Sequence, residues 1–219
     1  MIVYVESNFV LEIALRREEY PAAEAILSLA ENDKIELRFP GFILSETFGA
    51  LRYRRGKRSN LYRSLQATLK DIKRSASLRE PALIMEPLIE IFEDALETDF
   101  DTLHLTLQRM LSKGKTVTID QAVFQDALTR KIKLDLALED SIIFASIVND
   151  LDSLKESISS GDEKACFLSR DKSAFSDVDE ERIGMKLQSK RQINEELKKY
   201  GCKYLGSFED GLNFIQRFA

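Results

Sequence analysis

Four carboxylates stand where short apolar segments end or where helices begin, and these positions are suited to chemistry. Glu6 follows the apolar run IVYV, and Asp171 follows ACFLS in the stretch FLSRDKSAF. Glu46 lies in PGFILSETFGAL, and Asp140 lies in LDLALEDSIIFASIV, directly before a run that is apolar nearly all round. Carboxylate oxygens are the ligands that Mg²⁺ and Mn²⁺ prefer, whereas Zn²⁺ takes histidine and cysteine. If the four side chains converge, the sequence predicts a divalent-metal site.

Convergence of these acids would carry an electrostatic cost that a cation removes. Two carboxylates about 5 Å apart repel by ~3 kcal/mol at an effective dielectric constant of about 20. Several such pairs would force protonation unless a divalent cation neutralised them. The chain offers one histidine, His104, and two cysteines, Cys166 and Cys202, without CxxC spacing. We therefore expect Mg²⁺ or Mn²⁺ as the cofactor, His104 as a packing or surface residue, and both cysteines as reduced core thiols.

Each acid could also have an ordinary structural role. Asp140 could cap the helix that follows it, because aspartate is favoured at that position. Glu46 could lie on a solvated helix surface, and Glu6 and Asp171 could be loop carboxylates. Taken one at a time, the residues leave these roles open beside metal binding, and it is their conjunction along the chain that favours a site.

Short apolar segments alternate with amphipathic patterns. Strands are predicted over 2–5, 34–40, 116–120, 165–169 and 202–208, and helical spacing of apolar residues covers 9–30, 41–73 and 121–133. Within 41–73 a break is expected at Arg55-Gly56. This alternation predicts an α/β fold with a parallel sheet between two layers of helices. In such a sheet ligands gather beyond the carboxyl ends of the strands, where Glu6 and Asp171 are expected.

The stretch 79–115 interrupts the alternation. It contains Pro81, Pro87 and the patterns LIEIFEDAL and LHLTLQRML, which predict two amphipathic helices. We expect it to be a helical insertion within a single domain over 1–219. An exposed loop is predicted over 153–164, and a charged, helical excursion over 177–200. No apolar run approaches the ~18 residues of a membrane span, and no signal-peptide pattern is present, so we expect a cytoplasmic protein without a membrane partner.

A basic segment follows Glu46. Candidate phosphate-binding side chains in it are Arg52, Arg54, Arg55, Lys57, Arg58 and Arg63. Tyr53 and Tyr62 lie among them, and aromatic rings stack on unpaired bases for ~1 to 3 kcal/mol each. The segment predicts RNA binding beside the metal site, although the net charge of −5 argues against attraction by the whole surface. A solvated helix face, or a surface that meets the acidic stretch 86–101, is the alternative.

In their order and spacing these motifs resemble the PIN-domain ribonucleases, which include the toxins of many bacterial toxin-antitoxin pairs. The resemblance rests on strand-acid-Ser-Asn at 2–8, Ser-Glu at 45–46, Asp-Ser-Ile-Ile-x-Ala-Ser from Asp140, and Ser-Arg-Asp-Lys from Ser169. It covers about the first 50 residues and 117–208, and it leaves 79–115 unmatched. The family usually has Asp where this chain has Glu6, and the extra methylene moves the carboxylate by ~1.5 Å.

The resemblance implies a PIN-like fold and a Mg²⁺- or Mn²⁺-dependent endoribonuclease that hydrolyses RNA to 5′-phosphate and 3′-hydroxyl ends. The site residues that it implies are the metal-binding, catalytic acids Glu6, Glu46, Asp140 and Asp171, with Asn8 and Ser169 supporting them. The resemblance also allows for an antitoxin or another protein partner, and for a homodimer.

Two other functions stay open from the sequence. The first is a PIN-like module that binds RNA or a protein partner without efficient catalysis, which Glu6 in place of Asp favours. The second is a phosphoacceptor domain of receiver type, which would use an acid after a strand. The paired acids at the first strand and the later lysine after a strand, which that class uses, are not evident here.

Overall fold

The chain forms a five-stranded parallel sheet. The computed structural model describes residues 1–155, 164–175 and 185–218. The strands are β1 (Ile2–Val5), β2 (Glu36–Pro40), β3 (Lys115–Val117), β4 (Ala165–Leu168) and β5 (Cys202–Leu205). Their order is β3-β2-β1-β4-β5, and each neighbouring pair is parallel. The predicted α/β fold with a parallel sheet is confirmed.

Helices connect the strands on both sides of the sheet. In the described ranges they are α1 (Ser7–Ala14), α2 (Tyr20–Glu31), α3 (Phe42–Ile72), α4 (Arg79–Lys113), α5 (Gln121–Leu134), α6 (Leu138–Ser153), α7 (Lys172–Phe175), α8 (Met185–Lys199) and α9 (Phe208–Ile215). The apolar spacing over 9–30 belongs to two helices, because Arg16 takes a positive φ of 45° after the end of α1. None of the helices in these ranges has the length and apolar character to cross a membrane.

Alternate residues of the central strand β1 face two hydrophobic cores. Val3 and Val5 contribute to the first core, with Phe39 of β2 and residues of α1, α2, α3, α4 and α9. Tyr4 contributes to the second, with Phe167 of β4 and residues of α6, α7 and α8. Because side chains of a strand alternate between its faces, the sheet is covered on both sides, and the arrangement has three layers, α/β/α.

The helix break expected at Arg55-Gly56 is wrong, because α3 is continuous through this position. Glycine inside a helix costs about 1 kcal/mol relative to alanine, and contacts with α4 offset that cost. The Arg55 guanidinium lies 5.1 Å from the centre of the Phe100 ring, and Arg58 pairs with Asp99 at 2.6 Å. These contacts on both sides of the glycine favour the helical conformation.

The expectation of two helices within 79–115 is also wrong. Helix α4 is a single helix that contains Pro87, and Lys115 already belongs to β3. The residues between the two apolar patterns stay helical because Asp99 and Phe100 contact α3. The C-terminal half of α4 packs in the first core through Leu103, Leu107 and Met110. Helices α3 and α4 thus form a hairpin.

Three further expectations concern single residues and loops. Cys166 and Cys202 are buried free thiols, and His104 is exposed, as predicted. The predicted loop over 153–164 lies mostly outside the described residues. The predicted excursion over 177–200 is described from Met185 onward, where it is α8.

A charged network joins β1 and β2 to α6. The Tyr4 hydroxyl donates to Asp150 at 2.6 Å, and the Arg38 guanidinium donates to both oxygens of Asp150 at 2.7 and 2.9 Å. Tyr4 is fully buried, and the side chains of Arg38 and Asp150 are 12% and 15% exposed. Burial and the Asp150 carboxylate raise the pKa of Tyr4 above its ordinary value. Because Arg38 and Tyr4 are so little exposed, removal of Asp150 would leave the buried Arg38 charge and the buried Tyr4 hydroxyl without this acceptor.

We predict that Asp150→Ala lowers the free energy of unfolding by about 3 kcal/mol, the order expected when a buried ion pair loses one partner. Urea denaturation at pH 7 measures the loss. Asp152→Ala on the same helix is the control, because its contact with Lys155 is 3.9 Å long and 62% of the Asp152 side chain is exposed. A loss of about 0.5 kcal/mol or less is expected there. Equal losses in the two variants would contradict the role of the network.

Candidate functional site

The strand order creates a crevice between β1 and β4 at the carboxyl edge of the sheet. The chain passes from β1 to β2 and β3 on one side, and then returns to the other side of β1 as β4. Open α/β sheets bind ligands at such a reversal of strand order. Val5 lies opposite Leu168 in the β1–β4 pair, so Glu6 and Ser169 follow next to each other at this edge. The sheet therefore brings together residues that are far apart in sequence.

Glu6 is buried at this point and its carboxylate is fully hydrogen-bonded. Its Oε2 accepts from the Ser7 hydroxyl at 3.0 Å and from the Asn8 backbone N–H at 3.2 Å. Its Oε1 accepts from the Asn8 side-chain amide at 2.9 Å and from the Ser169 hydroxyl at 3.0 Å. A carboxylate has about four lone-pair sites, so a cation could bind Glu6 directly only by displacing a donor. Burial raises the pKa of Glu6, and the hydrogen bonds from Asn8, Ser169 and Ser7 oppose that rise.

Ser169 links Glu6 to Asp171. The Ser169 hydroxyl donates to Glu6 and accepts from the Asp171 backbone N–H at 3.0 Å. The Asp171 carboxylate accepts from the Ala174 N–H at 3.0 Å, so it also caps the short helix α7. The structure thus places both predicted supporting residues, Asn8 and Ser169, in contact with Glu6. Ser7, a further donor to Glu6, was not among the predicted site residues, although it is the serine of the strand-acid-Ser-Asn motif.

Glu46 faces the same crevice from the first turns of α3. Its pKa is raised to about 7, first by burial and then by the charge of Glu6, while the Ser7 hydroxyl acts in the opposite direction. The Oε2 atom of Glu46 is buried and makes no hydrogen bond within the described ranges. Glu46 therefore does not lie on a solvated helix surface, which was the alternative that the sequence left open. A buried carboxylate oxygen without a donor is costly, and it is a ligand suited to a hard divalent cation.

Asp140 approaches the crevice from the N-terminus of α6. Ala137 is the N-cap of this helix, so the capping role considered for Asp140 is wrong. Burial, followed by the charges of Asp171, Glu6, Glu46 and Glu139, raises the pKa of Asp140 to about 7. A helix N-terminus by itself favours the charged form of an acid. The raised pKa therefore means that burial and the neighbouring carboxylates outweigh the helix dipole.

The four predicted acids lie within electrostatic reach of one another, and the structure adds Glu139, which the sequence reasoning missed. Its position directly before Asp140 was the available signal. Over 1–155, 164–175 and 185–218, no three acid, histidine or cysteine side chains are arranged as a metal-ligand group. The donors are nevertheless all carboxylate oxygens, and one oxygen of Glu46 has no hydrogen-bond donor in these ranges. We call the four predicted acids together with Glu139 the carboxylate cluster. By chemistry and position the cluster fits Mg²⁺ or Mn²⁺ better than Zn²⁺.

An ion pair that the sequence did not predict braces the cluster. Glu12 is 1% exposed and accepts from Arg170 at 2.9 Å. Arg170 also pairs with Glu18 and Glu19 in the turn between α1 and α2. Because Arg170 lies between Ser169 and Asp171, these contacts fix the end of β4. The signal in the sequence was a charged residue, Glu12, inside the apolar pattern of α1.

The basic side chains of α3 fall into two groups, those that contact α4 and those that do not. Arg55 and Arg58 face α4, where they contact Phe100 and Asp99. The predicted meeting with the acidic stretch is thus confirmed for Arg58. The Lys57 ammonium lies 4.6 Å from the centre of the Tyr53 ring. The remaining candidates, Arg52, Arg54 and Arg63, form no ion pair with any side chain that the structure describes. This part of α3 therefore presents positive charge starting two turns beyond Glu46.

Comparison with protein-family models, with curated proteins and with solved structures finds no match for this chain. Functional inference consequently rests on the side chains and their geometry.

We predict that the cluster makes stability depend on pH. The ordinary pKa values of Glu46 and Asp140 are 4.5 and 3.8, and in the folded protein both are raised to about 7. The folded state therefore binds protons more tightly than the unfolded state, and stability from these groups is greatest at low pH and is lost as the pH rises to about 7. In chelator, Glu46→Gln should raise Tm clearly at pH 8 and much less at pH 5.

The control for this experiment is Glu195→Gln, which removes an exposed carboxylate from α8. It should leave Tm nearly unchanged at both pH values. If Glu46→Gln lowered Tm at pH 8, or raised it equally at pH 5, the carboxylates would not repel one another as described.

Proposed function

We propose that this protein is a metal-dependent endoribonuclease with a PIN-like fold, and that the carboxylate cluster is its active site. One observation carries the proposal. Glu6, Glu46, Asp140 and Asp171 come from four separate segments and meet at the β1–β4 crevice, where burial and mutual repulsion raise the pKa values of Glu46 and Asp140 to about 7. Such an arrangement is costly for the fold and suits a site that binds a divalent cation.

Within this proposal the acids have different roles. Glu46, Asp140 and Asp171 would hold the cation, since Glu6 has all its acceptor positions filled. Glu6 would orient Asn8 and, through Ser169, the backbone of Asp171. When bound, Mg²⁺ or Mn²⁺ would neutralise the acids and supply activation of water and charge stabilisation at the phosphate.

RNA is the substrate that the surface next to the cluster favours. The exposed basic side chains of α3, Arg52 and Arg63 among them, begin two turns from Glu46 and provide affinity for phosphates that does not depend on base sequence. An antitoxin or other protein partner, a homodimer and a cytoplasmic location stay predictions from the sequence.

Cleavage of a fluorescent single-stranded RNA tests the proposal. We expect the protein to cut it with Mn²⁺ or Mg²⁺ and to leave it intact in chelator. Asp140→Asn keeps the shape of the side chain and removes a charge that would hold the cation. Since even residues that only orient metal ligands contribute about 10- to 100-fold, this variant should lower the rate by more than about 100-fold. End-labelling should show 5′-phosphate and 3′-hydroxyl products.

The matched control is Asp152→Asn, an exposed acid three turns further along the same helix α6. It should cut at the wild-type rate. The proposal fails if the folded wild-type protein leaves single-stranded RNA intact in both metals, or if Asp140→Asn cuts as fast as the control.

A second candidate is a PIN-like module that binds RNA or a protein partner without efficient catalysis. The observation that favours it is the carboxylate of Glu6, whose four acceptor positions are occupied by donors from Ser7, Asn8 and Ser169. RNA that binds the folded wild-type protein and stays uncut in Mn²⁺ and in Mg²⁺ would select this candidate over the nuclease.

We predict that the basic side chains of α3 determine the salt dependence of RNA binding. For single strands, each phosphate contact contributes about 0.7 to the slope of log K against log salt. The double variant Arg52→Gln/Arg63→Gln should weaken binding and reduce the magnitude of that slope by about 1.4. Fluorescence anisotropy in chelator, at several salt concentrations, measures both quantities.

Lys198→Gln/Lys199→Gln removes the same charge from the end of α8, just before β5 begins at the opposite edge of the sheet. This control should leave the slope unchanged. Equal effects of the two double variants would mean that net charge, and not the surface of α3, governs RNA binding.

A further inference from the structure

We propose that Tyr53 stacks on an unpaired base of the substrate and holds that nucleotide beside the carboxylate cluster. This proposal rests on the proposed function and adds to it one specific contact between the protein and the RNA. Glu46 and Tyr53 are seven residues apart on the continuous helix α3. Seven residues make nearly two turns and a rise of ~10 Å, so both side chains leave the same side of the helix. A ligand that reaches the cluster along α3 therefore passes over Tyr53.

The environment of Tyr53 is that of a binding side chain. Its ring is 65% exposed, whereas Leu51 and Leu69 on the packed side of α3 are buried. The Lys57 ammonium lies 4.6 Å from the ring centre. An aromatic ring presents a flat apolar surface, and every base has a π-face that can stack on such a surface. Lys57 adds a positive charge at the same place.

Gly49 has no side chain, so the helix backbone is uncovered between the carboxylate cluster and the Tyr53 ring. It lies three residues after Glu46 and four before Tyr53, so it shares their side of the helix. A Cβ at Gly49 would meet no atom within 4 Å, so packing does not require a glycine there. Glycine is nevertheless among the poorest helix formers. Its place inside α3, about two turns from the start of the helix, is explained if a nucleotide lies close to the backbone between the carboxylates and Tyr53.

The charges around the ring favour a nucleic acid as the ligand. Arg52, Arg54 and Lys57 surround Tyr53 in the sequence, and Arg63 lies on the next turns. Positive side chains with an exposed aromatic ring between them are the two parts of a single-strand binding surface. An acidic protein partner is the competing ligand for such a surface, and the experiment separates the two.

Binding of a single-stranded RNA oligonucleotide in chelator tests the proposal. Fluorescence anisotropy should show that Tyr53→Ala weakens binding by about 5- to 150-fold, the range expected for loss of one stacked base. Tyr53→Phe keeps the ring and should bind like wild type. Phe48→Ala is the matched control, because Phe48 is an aromatic residue that is 39% exposed and leaves α3 on the side opposite to Glu46. It should leave the affinity unchanged.

Two further measurements distinguish stacking from a loss of structure. An oligonucleotide that lacks bases should bind wild type and Tyr53→Ala equally, since only its phosphates remain. Gly49→Gln should keep or raise Tm, because glutamine forms helices better than glycine, yet it should weaken binding to the normal RNA. Opposite effects on stability and affinity are not expected of a residue with a purely structural role.

Four results would overturn the proposal. If Tyr53→Ala binds normal RNA like wild type, the stacking contact does not exist, while metal-dependent cleavage by the same preparations would leave the nuclease intact. If Tyr53→Ala weakens binding to RNA without bases equally, the ring does not contact a base. If Tyr53→Ala changes the oligomeric mass in light scattering and not RNA binding, Tyr53 belongs to a protein contact. If wild type neither binds nor cuts RNA, the proposed function fails, and this inference fails with it.

Discussion

Mutual repulsion among carboxylates at one edge of the sheet is the constraint on which this structure depends. Burial and neighbouring charges raise the pKa values of Glu46 and Asp140 to about 7. A fold that only needed stability would not keep such side chains together, because each ionised group adds to the cost of the others. The sheet topology, the start of α3 and the start of α6 all bring acids to this place. Under the proposed function, a bound divalent cation would convert this repulsion into binding energy.

The fold holds the cluster by fixing the backbone around it. Glu6 is held by hydrogen bonds from Ser7, Asn8 and Ser169, and Ser169 also accepts from the backbone of Asp171. Arg170 joins the end of β4 to Glu12 of α1. These contacts fix Glu6 and the backbone of Asp171 independently of any cation, so the repulsion cannot be relieved simply by moving the ends of β1 and β4 apart. Protonation of Glu46 and Asp140 relieves the repulsion, as their raised pKa values indicate, and under the proposed function a bound cation would relieve it too.

The sequence was informative about elements and less so about contacts. The strands could be predicted because short apolar runs that end at polar residues are typical of buried parallel strands, and Glu6 and Asp171 were located by the ends of those strands. The helix break at Gly56 and the two helices within 79–115 were wrong, because contacts between Arg58 and Asp99, far apart in sequence, overrule local preference. That Ser169 contacts Glu6 follows from the β1–β4 pairing, which no local pattern encodes.

Binding of Mn²⁺ to the protein without RNA tests the proposed metal site most directly. Titration calorimetry at pH 7, with wild type and Asp140→Asn at equal concentration, separates the cluster from the rest of the acidic surface. We expect saturable binding by wild type that is accompanied by proton release, because Glu46 and Asp140 are partly protonated near pH 7. We also expect binding that is at least about 10-fold weaker in Asp140→Asn. No binding by folded wild type, or equal binding by the two proteins, would contradict a metal site at the carboxylate cluster.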